Sequence, residues 1–321
     1  MYNIVLLYLL SITDNATQLV VKLIVFKSLD TPALRLPNEK DAVCWFLMQS
    51  ADDSSLLFVD SSNNELKKVN LQNELSVDVI YRCESSERLR AALFVEFAPQ
   101  QKALLVAAMR PDAAANSMSH SLSLALGDAT RWTRRQTVPL DTATCELKYG
   151  LPVCIGAVHT NKVLCGVWRT SSLEAIAIDA SGAARRLQPI PLGFPFKCFA
   201  TGRSQDTELL AISLSKWAEV RLLRVADGES LSLQLLRVIT TGNSILLWRA
   251  GLLFATNWNA QTETHEVSVW HVSGGGRRVE RCGTPITHKD NMNIDCWSAV
   301  GERIALFDYK SKKILVYELK N

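Results

Sequence analysis

Phe196-Lys197-Cys198-Phe199-Ala200, Glu208-Leu209-Leu210-Ala211-Ile212-Ser213, Glu219-Val220-Arg221-Leu222-Leu223-Arg224-Val225 and Leu231-Ser232-Leu233-Gln234-Leu235-Leu236-Arg237-Val238 follow one another in the stretch that decides the fold. The second run is continuously apolar, as suits a strand buried on both faces. The third alternates with period two, the pattern of a half-buried strand. The fourth is more polar. Turn residues such as Ala226-Asp227-Gly228 punctuate the runs. The stretch therefore reads as four consecutive strands.

The same order recurs along the chain. The second run returns as Ser55-Leu56-Leu57-Phe58-Val59-Asp60, Lys102-Ala103-Leu104-Leu105-Val106-Ala107, Lys162-Val163-Leu164-Cys165-Gly166-Val167-Trp168, Gly251-Leu252-Leu253-Phe254-Ala255-Thr256 and Arg303-Ile304-Ala305-Leu306-Phe307-Asp308. First runs carry a recurring cysteine, with 44 positions between Cys154 and Cys198 and 98 between Cys198 and Cys296. The sequence thus predicts six units with a pitch of about 50 residues. They fall at approximately 41–82, 91–140, 151–192, 196–240, 244–288 and 293–319, within one domain spanning 1–321. The last unit contains three strands. An orphan apolar run, Leu19-Val20-Val21-Lys22-Leu23-Ile24-Val25-Phe26, is placed to supply the fourth, as a closing strand over 19–29. The stretch around Pro111-Asp112-Ala113-Ala114-Ala115-Asn116 reads as an enlarged loop in the second unit.

Four-stranded units at this pitch resemble the β-propeller superfamily. The resemblance is WD40-like in repeat pitch, and it covers essentially the whole chain. The WD40 Gly-His turn and closing Trp-Asp pair are missing; Trp270-His271 stands where one such pair would end a third strand. The resemblance implies an all-β, six-bladed propeller of four-stranded blades, with the ring closed by an N-terminal strand in the last blade. It carries over no functional residue, because propellers host hydrolases, lyases, receptors and scaffolds alike.

Composition bounds the function from another side. The 321 residues are 48% hydrophobic and 21% charged, which excludes general disorder and a disulfide-dense miniprotein. The apolar runs are too short for a membrane-spanning helix. Eight cysteines lack any Cys-x-x-Cys pair and several sit in apolar strands, the pattern of reduced thiols in an intracellular, cytoplasmic protein. Secretion is the alternative if residues 1–10 act as a signal, although no positively charged region precedes that apolar stretch.

Several candidate sites compete with packing roles. Arg134-Arg135, Arg185-Arg186 and Arg277-Arg278 recur at or near the start of fourth strands. They would decorate the perimeter, either as a polyanion or partner rim or as charges that keep exposed strand edges from pairing. The modest net charge of +3 favours the latter. Trp168, Trp217 and Trp258 lie near strand ends, as face anchors for a peptide or as packing between blades. Cys44, Trp45, Cys154, Cys198, Cys296 and Trp297 on first strands read as a repeated packing position. The five histidines have no metal-ligand spacing, and neither a Gly-x-Ser-x-Gly elbow nor a phosphate-binding glycine loop occurs. The sequence therefore predicts no catalytic site, no cofactor and no metal. It points to a non-catalytic module or scaffold presenting a propeller face to a protein partner in an assembly. The alternatives are a propeller hydrolase or lyase with loop-borne residues at the channel mouth, and nucleic-acid binding through the arginine pairs.

Overall fold

The computed structural model describes residues 22–30, 47–48, 55–60, 64–70, 77–99, 101–112, 117–127, 132–140, 153–214, 218–228, 230–241, 245–249, 251–259, 261–283, 286–288, 292–300, 303–308 and 313–320, with most of the side chains between 64 and 283. Nearly all of these residues are in strands. The first is β1 (Lys22–Asp30). Five antiparallel sheets then follow in chain order. Sheet I is β2 (Leu47–Met48), β3 (Ser55–Asp60), β4 (Glu65–Asn70) and β5 (Val77–Arg82). Sheet II is β6 (Arg88–Ala98), β7 (Gln101–Asp112), β8 (Ser117–Gly127) and β9 (Trp132–Leu140). Sheet III is β10 (Val153–Val158), β11 (Lys162–Val167), β12 (Ser172–Ile178) and β13 (Ala184–Arg186), with β14 (Ile190–Pro191) also on β12. Sheet IV is β15 (Phe196–Ser204), β16 (Thr207–Leu214), β17 (Glu219–Ala226) and β18 (Ser232–Thr240). Sheet V is β19 (Ile245–Arg249), β20 (Leu252–Asn259), β21 (Thr264–Ser273) and β22 (Arg278–Arg281), with β23 (Ile286–His288) also on β21. A sixth sheet joins β24 (Met292–Val300), β25 (Arg303–Asp308) and β26 (Lys313–Lys320) to β1.

The first strands touch in succession. β2 meets β6, β6 meets β10, β10 meets β15, β15 meets β19, β19 meets β24, and β24 returns to β2. The sheets are therefore arranged around an axis, with fourth strands outermost. The N-terminal strand β1 pairs antiparallel with β26, Lys22 opposite Lys320 and Asp30 opposite Lys313.

The continuous apolar runs are explained by this packing. On β7, Leu104 and Val106 face a core shared with sheet I, while Ala103, Leu105 and Ala107 face one shared with sheet III. On β16, Leu210, Ile212 and Leu214 face sheet III and Leu209 and Ala211 face sheet V. Period-two alternation places both sets of side chains in apolar surroundings, so every position must be apolar. Full burial of each leucine or isoleucine stabilises by about 1.5–3 kcal/mol.

Inner strands approach closely where glycine permits it. A Cβ built on Gly202 would lie 2.1 Å from the Trp248 indole, and one on Gly156 would lie 2.5 Å from Thr201. The Gly274–Gly276 turn has φ of 58, 65 and 87°, a left-handed path that glycine takes without steric cost.

Two features depart from the sequence reading. The region read as an enlarged loop is a longer hairpin, because Pro111 pairs with Met118 and Asp112 with Ser117. Pro111 lies beyond the last described β6–β7 pair, Arg88 opposite Met109, where the ladder on that side has ended. The fourth run of sheet III is split into β13 and β14, separated by residues that include Pro189, which cannot donate a ladder bond. The Cys44-Trp45 segment and residues 1–21 lie outside the described residues.

Candidate functional site

Between the outer strands of sheets I and II lies an open groove of about 570 Å³, lined by Val79, Ile80, Tyr81, Arg82 and Glu84 on one side and Trp132, Thr133 and Arg134 on the other. β5 and β9 supply its walls because both are edge strands of neighbouring sheets. Ile80, Tyr81 and Trp132 are buried at its base, within the apolar core between the two sheets. Val79 is 39% exposed at its lip. Beyond β5 the chain turns through residues 83–87, and the Glu87 backbone N–H donates to the Glu84 carbonyl at 2.9 Å. That turn aims both carboxylates at sheet II.

There they meet Arg134. Its Nη1 donates to Glu84 Oε1 at 3.1 Å and Glu87 Oε1 at 3.2 Å, its Nη2 to Glu87 Oε2, and its Nε to the Tyr81 hydroxyl at 3.2 Å. Arg110 on β7 joins the same carboxylates at 3.1 and 3.3 Å. The Glu87 side chain is only 4% exposed. Burial pushes its carboxyl up, but the Arg134 hydrogen bonds and charge outweigh this and hold it below the usual carboxylate range. Burial, added to the neighbouring Glu87 charge, pushes the Cys83 thiol up to about 12. Burial likewise raises the Tyr81 phenol. Two arginines and two glutamates thus form an internally neutral brace beside an aromatic floor. Arg82 pairs outward with Glu65 at 2.7 Å.

The other arginines of the sequence-derived rim are placed as follows. Arg135 lies on β9, and its side chain is outside the described residues. Arg185 and Arg186 lie on β13; Arg185 is exposed, and Arg186 grips the buried Glu174 through two bonds of 2.7 Å. Between these pairs, Gln136 clamps β13: its Nε2 donates to the Ala184 carbonyl at 2.7 Å, and the Ala184 N–H donates to its Oε1 at 2.8 Å. The first two arginine pairs are therefore neighbours. Arg277 and Arg278 are exposed beside and on β22, with sheet IV intervening. Trp168 packs against the core between sheets II and III, with the Arg169 guanidinium 4.7 Å from its ring centroid. Trp217 lies outside the described residues, as does the side chain of Trp258 on β20.

Sequence reasoning found Arg134 but missed the residues that complete the groove. Glu84 and Glu87 sit in a turn, where carboxylates usually serve turn geometry. Nothing local marks a partner 47 residues away. Arg90 was also missed. It occupies a bulge in β6 with its Nε 3.1 Å from Met109 Sδ, and burial lowers its pKa to about 10. Among the described residues no group of three His, Cys, Asp or Glu side chains is close enough to hold a metal ion. Five described cysteines (Cys83, Cys154, Cys165, Cys198 and Cys282) are unbridged. No described helix is long and apolar enough to cross a membrane.

The chain has a β-propeller fold. Its fold is similar to that of a functionally unknown protein from Desulfotomaculum acetoxidans (TM-score 0.55, 12% identity, 84% of this chain and 81% of that one). It is also similar to a luciferin-regenerating enzyme (TM-score 0.54, 10% identity, 92% and 95%) and to the Cps50 (Swd1) β-propeller domain of Myceliophteria thermophila (TM-score 0.52, 13% identity, 86% and 82%). No protein-family model and no curated protein matches the sequence. At such identities the likeness concerns the fold, and it spans an enzyme and a named propeller domain.

Proposed function

We propose that this chain is a non-catalytic, six-bladed propeller module that holds a protein partner within an intracellular assembly, and that the groove between β5 and β9 is a docking site. The observation that carries this reading is the groove's make-up. An apolar and aromatic base, half-exposed Val79 and a rim of paired charges match the core-and-rim anatomy of protein interfaces. The Arg134–Glu87 brace makes the groove rigid before a partner arrives, which lowers the ordering cost of binding. The unbridged thiols support an intracellular setting.

The polyanion reading is weakened by the pairing of Arg134 and Arg186 with carboxylates. The enzyme reading draws its support from neighbours such as the luciferin-regenerating enzyme and an oligogalacturonate lyase. The test is gentle affinity purification of the tagged full chain from its source cells, with nuclease, alongside Val79→Asp. A stoichiometric protein recovered with the parent chain and lost from the folded variant is expected. Recovery unchanged by Val79→Asp refutes the groove, and no recovered partner refutes the module.

A further inference from the structure

The outer strand of sheet IV differs from the other outer strands whose side chains are described. β18 is nine residues long, whereas β5, β13 and β22 have six, three and four, and of these only β5 bears a described exposed large apolar side chain, the single Val79. Among the described residues β18 pairs only with β17, so its other edge carries a row of backbone donors and acceptors outside the sheet. It also bears Leu235, 52% exposed, and Val238, 46% exposed. On the equally long β9, no large apolar side chain is exposed among the described residues.

The two faces of β18 are chemically distinct. Leu235 lies opposite Leu223 and Val238 opposite Arg221, which places both on one face of the sheet. They share it although three positions apart, because Leu236 is an extra bulged residue that resets the alternation. Phe194 lies beside this face, its ring capped by the Arg221 guanidinium at 4.4 Å. On the opposite face, Arg237 lies across from Leu222 and Arg224 across from Gln234; both arginines are exposed. The edge therefore offers apolar contacts on one side and positive charge on the other.

We propose that β18 is a strand-addition site for an extended segment of a partner protein whose residues alternate between apolar and carboxylate side chains. A strand added to an edge places successive side chains on opposite faces. Its apolar positions would cover Leu235 and Val238, and its carboxylates would meet Arg224 and Arg237. The alternation of the ligand follows from the two faces of the edge and not from the groove between sheets I and II. The proposal shares with the preceding reading only the premise that a protein partner binds.

The experiment uses the full chain and two fluorescein-labelled Val-Glu and Val-Lys repeat peptides, each about ten residues long to match the strand. Anisotropy titrations at neutral pH measure binding, and hydrogen exchange locates it. The Val-Glu peptide is expected to bind, weaken with salt, and slow amide exchange across β18. Arg224→Glu/Arg237→Glu is expected to reduce its affinity roughly tenfold or more, and Leu235→Ser/Val238→Ser comparably. Thermal melting identifies any variant that fails to fold, for which Arg224→Ala, an exposed truncation, substitutes. Val79→Asp should leave peptide binding unchanged, separating this site from the groove. Equal binding of the Val-Lys peptide, no binding, protection elsewhere, or parental affinity in the folded variants would each overturn the proposal.

Discussion

Replacing Glu87 by Gln removes the charge at the centre of the brace while keeping its shape. Three hydrogen bonds from Arg134 and Arg110 converge on this carboxylate, whose side chain is 4% exposed. Breaking one partner of a buried pair costs about 3–5 kcal/mol. Here the loss is smaller, because Arg134 is 23% exposed and retains Glu84 and Tyr81. We expect about 2–3 kcal/mol. At roughly 2.1 cal/mol/K per residue, a chain of 321 residues unfolding as one unit has an entropy near 0.7 kcal/mol/K, so Tm should fall by about 3–4 °C. The control is Glu84→Gln, whose side chain is 61% exposed and whose loss should stay within about 1 kcal/mol. Differential scanning calorimetry measures both. The pH dependence has a definite sign. The folded carboxyl of Glu87 titrates below its unfolded value, so its contribution is complete above the unfolded value of about 4.3 and is lost as pH falls through the lower folded value. The parent and Glu87→Gln should therefore converge in acid. Equal losses for Glu84→Gln and Glu87→Gln at neutral pH, or a gap that widens in acid, would refute the brace.

Three further outcomes are expected. Gly202→Ala should cost about 1–3 kcal/mol by overpacking against Trp248, with Trp248→Leu recovering part of the loss in the double variant; urea denaturation measures this. Gln136→Leu should leave the Ala184 N–H and carbonyl without their clamp and cost about 1–3 kcal/mol, with faster amide exchange at residue 184. Cys83, its thiol raised to about 12, and the fully buried Cys165, raised further by burial, should react with a thiol reagent at neutral pH far more slowly than in urea.

The fold was legible because its rules are local. A buried second strand must be apolar on both faces, and Leu209 to Leu214 shows this without reference to any other segment. The pairing of β1 with β26 was legible as an orphan strand matched to a three-stranded remainder. What escaped the sequence depends on geometry that periodicity does not encode. Arg134 looked like a free perimeter charge, yet its partners come from a turn in the preceding sheet. Arg186 looked the same, and its partner Glu174 is buried on the adjoining strand. Leu235 and Val238 would occupy opposite faces under strict alternation, and one bulged residue puts them together.

The pairing of β1 with β26 also fixes how the molecule responds to force. Because the strands are antiparallel, Lys22 and Lys320 lie opposite each other, and the register continues inward to Asp30 and Lys313. Tension applied through positions 22 and 320 pulls the two strands apart from that end. The ladder bonds then break one after another, each contributing about 1 kcal/mol, instead of sharing the load in parallel. The seam that completes the last sheet is in this sense a zipper, weak against a pull applied at Lys22 and Lys320.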